Sequence, residues 1–438
     1  MRIDHLQLAN FRCFSDKTFS FGSTFNLIVG ENGQGKTAVL EGLALAAGRI
    51  LHHFPLQGVG LITDEQVRRV FHTSGQTLTV EPQFPVVIKA TGAISGEEGL
   101  WTIQRKSGQA TDNSKAGWLH LRSQELQKQV QDASANSLLP VISYYGTERL
   151  WLQTNGRTAI NTLGPDSRFA GYHECLNTAS SHPRLLEWFK TQELIALQRS
   201  ATIPVLEACR QAIVRCVPGA TRVYFDVAYD QLILMFGDKG VPFDYLSDGY
   251  RNILAMVADL AVKCATLNPH LEANASAESV GIVLIDEIDL HLHPKWHRRV
   301  ISDLVATFPQ LQFVATTHSP FVIQSLPLLA GVQLINLDDP SNRDVSNKSI
   351  EDIAEQIQGI SLPQRSQRHV DLMQQAAKYF EMLDRGSKAS ADEKELARTE
   401  LEKLALPYSD DPAYHALIKM KQLATQKNGE NGTAGATQ

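Results

Sequence analysis

Cysteine is sparse in this chain, five residues in 438, and Cys13, Cys175, Cys209, Cys216 and Cys264 form no C-x-x-C pair. An odd, scattered set argues against a disulfide framework and a structural zinc site, and points to a reducing, cytoplasmic setting. Long apolar runs are also missing. No stretch reaches the roughly 20 uninterrupted apolar residues of a membrane span. The opening MRIDHLQLANFRCF lacks the apolar block of a secretory signal, so a soluble chain with no membrane partner is expected. Nor is basic charge in excess. A net charge of -6 does not suit a protein coated in positive charge, although a local basic groove stays open. There is no internal repeat and no long heptad run.

What is present is ordinary for a globular protein: 43% hydrophobic, 20% charged, and enough length for two or three domains' worth of residues. The stretches RIDHLQL, TFSF and FNLIVG read as strands. KTAVLEGLALAAG then predicts a helix with Val39, Leu40, Leu43 and Ala47 on one face and Gly48 as its stop. QTLTV, PVVIKATGAI and GLWTIQRK predict an antiparallel sheet inserted after that helix. A further helix follows in AGWLHLRSQELQKQVQDASA, and a strand in LPVISYYG. Residues 166–218 read as mostly helical, and TRVYFDV with QLILMFG as a hairpin. GIVLIDE and QFVATTH are short apolar runs typical of buried parallel strands. The fold expected is α/β: a mixed central sheet plus an inserted antiparallel sheet, with a helical insertion and a helical C-terminal region. In residue terms this means a domain over 1–345 (inserted part about 50–140, helical part 166–220), helices over 346–425 and a disordered tail, 426–438.

Four short segments carry chemistry. Gly30-Glu31-Asn32-Gly33-Gln34-Gly35-Lys36-Thr37 fits G-x-x-x-x-G-K-[ST] between a strand and a helix. Backbone N–H groups around Asn32, Gly33 and Gly35 suit phosphate oxygens, Lys36 suits the β- and γ-phosphates of ATP, and Thr37 suits Mg²⁺. IVLIDE ends in two carboxylates, Asp286 for Mg²⁺ and Glu287 for the attacking water. His318 follows another apolar strand, where it can reach a γ-phosphate; alone it would be read as a polar loop residue. Leu246-Ser247-Asp248-Gly249-Tyr250 would alone be read as a helix N-cap. In order with the other three segments, it resembles the LSGGQ signature of ABC-type ATPases. The resemblance implies that Ser247 and Gly249 address a phosphate bound by the opposite copy, so that the chain pairs with itself around ATP. Asp248 and Tyr250 depart from the transporter letters.

The resemblance can be narrowed. LANFRCF resembles the opening of RecF- and SMC-type heads, which implies that Arg12 faces the nucleotide. IDEIDLHLHPKWH resembles the Walker B and D-loop of OLD-like and RecF-like ATPases used in phage defence. PVISYYGTERLW and the helical C-terminal region are similar to the Septu-type defence ATPases called PtuA, including those encoded beside retrons. SMC arms and the acidic cluster of an OLD-type Toprim nuclease are absent, so any DNA cleavage is expected in a partner. The resemblance implies an HNH nuclease for that role, with a reverse transcriptase and its RNA–DNA product, and DNA itself, as further partners. The alternative is a RecF-like repair ATPase that binds gapped or single-stranded DNA; a transporter's cytosolic subunit is disfavoured. No Q-loop glutamine is evident. His291, His293 and His297 match no zinc template closely, and Arg298, Arg299, Arg365 and Arg368 read as solvated faces.

Overall fold

The structure is a computed structural model that describes residues 1–54, 61–74, 77–108, 110–112, 116–132, 136–149, 167–177, 182–339, 348–360, 363, 367–384, 396, 399–400 and 403. The chain opens with β1 (Arg2–Phe11), β2 (Phe14–Ser20) and β3 (Phe25–Val29), and helix α1 (Lys36–Gly48) follows. Next come β4 (Arg69–Ser74), β5 (Thr77–Pro82), β6 (Val86–Ile94), β7 (Glu97–Arg105), β8 (Thr111–Asp112), α2 (Gly117–Gln131) and β9 (Val141–Tyr145). Helices α3 (His182–Arg199) and α4 (Pro204–Cys216) precede a meander of β10 (Arg222–Asp226), β11 (Gln231–Phe236) and β12 (Lys239–Pro242). Then α5 (Asp248–Leu267), α6 (Ala275–Glu278) and β13 (Gly281–Ile285) lead to α7 (Pro294–His297), α8 (Val300–Thr307) and β14 (Leu311–Thr316). The last elements are α9 (Pro320–Gln324), β15 (Val332–Asn336), α10 (Ile350–Gln356) and α11 (Gln367–Asp384). Two compact units result, Met1–Ile353 and Ala354–Gln438. In the second, α11 carries the buried Ala376 and Tyr379. The expected tail 426–438, Arg365, and Leu150 and Trp151 of the PtuA-like stretch lie outside the described residues.

A five-stranded sheet in the order β15-β3-β14-β13-β9 forms the centre, and every strand pair in it is parallel. All residues of β3, β9, β13 and β14 are buried, as expected for a parallel sheet covered on both faces. The expected mixed sheet is therefore corrected. The antiparallel strands form a second sheet, β2-β1-β6-β7-β8, in which the inserted β6 pairs with β1 near the chain start. The insertion thus completes a sheet already begun by the N-terminal hairpin. Alternation along β6 reports a half-buried strand but carries no information about its neighbour. The β4–β5 ribbon pairs separately.

Helix α1 departs from its expected one-sided pattern. Eleven of its residues are buried, Lys36, Gly42 and Gly48 among them. The α-helix ends at Gly48 as expected, but without the left-handed geometry of a glycine cap. Gly48 has right-handed φ of -61° and the backbone continues as a 3₁₀ turn, Arg49–His53, that buries Ile50 and Leu51.

One buried amide ties the two sheets together. Gln312, on β14, accepts from the Ile3 N–H at 2.9 Å and donates to the carbonyls of Ile3 and Gly22, both at 2.8 Å. The register of β1 against β6 shifts between Ile3 and His5, beside this bond. Replacing Gln312 by Leu would take this partner from the buried Ile3 N–H and carbonyl, while the Gly22 carbonyl keeps a bond from Asn26 at 3.0 Å. Gln312→Leu is expected to destabilise the protein by about 3 kcal/mol, read as a lower midpoint in urea unfolding with an unchanged slope.

Candidate active site

Parallel strands deliver their following loops to one edge, and in this sheet order those loops converge. The P-loop leaves β3, Asp286 and Glu287 leave β13, and Thr317 and His318 leave β14, which lies between them. Neighbouring strands are about 4.8 Å apart, so the three segments meet within side-chain reach. Open α/β sheets bind ligands at this carboxyl edge.

The P-loop is held in an anion-binding shape. Gly33 and Gly35 have φ of 86° and 94°. Gly35 has no alternative: a Cβ there would lie 2.5 Å from Cys13 Sγ and 2.6 Å from the Phe14 ring. Asn32 and Gly33 are exposed at the tip. The Lys36 ammonium donates to the carbonyls of Gly30 and Glu31, at 2.8 and 2.9 Å. Burial pushes its pKa below the ordinary lysine value, while Asp338, Asp286 and Glu287 oppose that shift.

Thr37 and Asp286 are brought together directly. The Thr37 hydroxyl donates to Asp286 Oδ2 at 2.8 Å, and the Thr316 hydroxyl donates to Asp286 Oδ1 at 2.6 Å. A hydroxyl and a carboxylate set side by side are hard oxygen donors that fit Mg²⁺, which takes few protein ligands and completes its shell with water and phosphate. Glu287 has φ of 48°, and its N–H donates to Thr316 Oγ1 at 2.7 Å. A non-glycine residue in this region is strained unless its surroundings hold it, and Thr316 is that hold. His318 is exposed between two buried neighbours, with the Thr317 hydroxyl donating to Asp289 Oδ1 at 2.5 Å and the Ser319 N–H donating to Thr317 Oγ1 at 3.0 Å.

Arg12 has other company than the sequence suggests. Its guanidinium is bidentate on Glu41 of α1, at 2.7 and 2.8 Å, and donates to the Glu65 carbonyl at 3.0 Å. Arg12 thereby clamps the helix that follows the P-loop. Glu41 could not be singled out because it lies mid-helix, with no motif spacing to Arg12.

Ser247 and Gly249 lie at the start of α5. Ser247 is the exposed N-cap of the 20-residue α5, and its hydroxyl makes no capping hydrogen bond. The first turn of α5 rests on residues 290–296. A Cβ on Gly249 would meet the His291 carbonyl oxygen at 2.6 Å, Asn252 donates to the Leu290 carbonyl at 2.8 Å, and the Tyr250 and Trp296 rings pack edge-on at 4.3 Å. Gly249 is thus demanded by packing, a reason additional to any exposed N–H. The nearby histidines do separate work: His293 accepts from the Lys295 N–H, whereas His297 bonds Ser319 Oγ and the Leu292 carbonyl. Sequence also missed Asn252, Asp338, whose carboxylate accepts from the Glu31 N–H at 2.7 Å, and Thr316. A threonine inside an apolar strand has no outward signal.

Comparison with known proteins fits this geometry. Residues 5–203 match the model of the family described as "AAA domain", and residues 233–324 that of "AAA domain, putative AbiEii toxin, Type IV TA system". Together these two segments hold the P-loop, Ser247, Gly249, Asp286, Glu287 and His318. The chain is 48% identical over 81 residues to the "Retron Vc95 probable ATPase" of Vibrio cholerae, covering 18% of this chain and 15% of that protein. It is 40% identical over 101 residues to the Septu protein PtuA of Bacillus mycoides, covering 23% of this chain and 13% of that one. The matched stretches thus span under a quarter of either relative. The SMC head domain from Thermotoga maritima aligns with 76% of this chain and 97% of its own length, at 16% identity and a TM-score of 0.42. No helix among the described residues is long and apolar enough to cross a membrane.

Thr316→Val keeps the strand but removes both of its site hydrogen bonds. ATP turnover is expected to fall about 10- to 100-fold with nucleotide affinity nearly unchanged, measured by phosphate release beside equilibrium binding of a fluorescent ATP analogue.

Proposed function

We propose that this chain binds ATP with Mg²⁺ and hydrolyses it in composite pockets shared by two copies, using closure of that dimer to control a separate nuclease in phage defence. The observation that carries the dimer reading is the state of Ser247. An N-cap serine normally satisfies an N–H of its own helix. Here the exposed hydroxyl is uncommitted, at the positive end of a long helix anchored on residues 290–296. Such an end suits a phosphate presented by another copy.

In this mechanism Asn32, Gly33 and Gly35 offer backbone N–H groups to the phosphates, and Lys36 supplies positive charge. Mg²⁺, held by Thr37 and Asp286, would neutralise charge building between the β- and γ-phosphates. Glu287, set in its left-handed conformation by Thr316, orients a water in line with the γ-phosphate, and His318 stands where that phosphate's oxygens come within reach. Positioning and charge suffice for phosphoryl transfer. Kinship with the retron and Septu ATPases supports defence as the setting. Likeness to the Septu ATPases supports cleavage by a partner of the HNH nuclease class, with a reverse transcriptase and its RNA–DNA product joining in a retron setting.

Lys36→Ala is expected to abolish ATP binding. Glu287→Gln is expected to retain binding, slow turnover by about 10²- to 10³-fold and accumulate ATP-dependent dimers in light scattering. Ser247→Arg should leave ATP affinity of the single chain within about threefold, since one ordinary contact is at stake, yet prevent those dimers. Normal dimers in the Ser247→Arg, Glu287→Gln double variant would overturn the composite pocket. Affinity capture of the Glu287→Gln chain from native cells, followed by mass spectrometry, should recover the nuclease; its absence with dimers intact would overturn the partner alone.

A further inference from the structure

At the far end of α1, about 20 Å from Lys36 by helix rise, lies a cluster that the ATPase reading does not use. The turn after α1 places Arg49, His52 and His53 together, and α2 adds His120. Arg49 is only 1% exposed. Its NH2 group meets His120 Nε2 at 3.2 Å, while its Nε and NH1 are buried with no partner, and so is His53 Nε2. The three imidazole centroids are 5.3, 5.5 and 5.2 Å apart, with the His52 and His120 rings stacked at 26°. A buried cation needs a counter-charge or acceptors. Among the described residues no carboxylate bears on Arg49: burial alone acts on it, lowering its pKa. Burial, then Arg49 and the neighbouring rings, also lower the His52 and His120 pKa values.

We propose that Arg49, His52, His53 and His120 form a second anion site, shaped for a phosphate group. A guanidinium fork with two idle donors matches phosphate oxygens, and neutral imidazoles each add one N–H. A cation is disfavoured by the Arg49 charge beside His120 Nε2, and no metal-holding cluster occurs among the described residues. At the rim of the cluster His52 is exposed and His53 and His120 are half-buried. The site is independent of the proposed ATP chemistry.

The test uses the full chain with Lys36→Ala, so that the P-loop contributes little, and inorganic phosphate as the probe. The melting temperature is expected to rise with phosphate against chloride at equal ionic strength, since a ligand of the folded state stabilises it. Adding Arg49→Met should abolish the rise. His120→Asn, nearer the rim, should weaken apparent phosphate affinity about tenfold, and serves if the Arg49 variant fails to fold. A parallel arm with a short single-stranded oligonucleotide separates the two sources of phosphate. An Arg49-dependent rise at far lower phosphate-group concentration assigns the site to a nucleic-acid backbone; a rise with inorganic phosphate only assigns it to a free phosphate. No rise in the Lys36→Ala chain, or a rise unchanged by the Arg49 and His120 substitutions, overturns the proposal.

Discussion

One carboxylate, Asp286, organises the candidate active site. Its side chain takes hydrogen bonds from Thr37 at the head of α1 and from Thr316 on β14, while its backbone N–H reaches the Tyr145 carbonyl on β9 at 2.8 Å. Four segments from adjacent strands are thereby referred to a single residue. A buried carboxylate is tolerated only when its acceptor capacity is used, so these bonds are a condition of the fold as well as of the chemistry. Glu287 then inherits its position. Its strained backbone is secured by Thr316, the residue that also holds Asp286.

Register is what makes this arrangement strict. Ile285 pairs with Ala315 and with Tyr145, and Thr316 pairs with Ile28. A slip of one residue in β13 would turn Asp286 to the other face. The full burial of β3, β9, β13 and β14 opposes that slip, because each strand is packed on both sides. The Gln312 amide then fixes the antiparallel sheet against this frame through Ile3.

Helix α5 connects the exposed signature serine to the same frame. Its first turn rests on residues 290–296, just beyond Glu287, and further along Asp259 accepts from the Tyr145 hydroxyl at 2.7 Å and pairs with Lys263 at 2.7 Å. Tyr145 is buried, which holds its pKa well above the ordinary tyrosine value and keeps it a donor. Ser247 and Asp286 are thus linked through one helix and one part-buried hydrogen bond. Contact at Ser247 by a second copy would act on an element already bonded to the strand beside Asp286.

Much of this could be read from residues in order. The P-loop, the apolar strand ending in Asp286-Glu287, and the strand before His318 are local patterns, since side-chain alternation, helix starts and glycine spacing depend on near neighbours. The second sheet was only half legible: PVVIKATGAI announces a strand, but its pairing with Arg2–Phe11 depends on residues some 80 positions away. The Arg12–Glu41 clamp and the Arg49 cluster left no mark of their own, because their members are far apart in sequence or ordinary where they stand.

The sequence by itself determined the nucleotide-type motifs, the α/β class and the order of the elements, all properties of short-range periodicity and residue chemistry. Only the tertiary structure decided that the central sheet is wholly parallel, that Thr316, outside the motifs, bonds both Asp286 and Glu287, and that Arg12 pairs with Glu41. The physical reason is that hydrogen bonds and burial join residues by distance in space, which one-dimensional patterns do not encode.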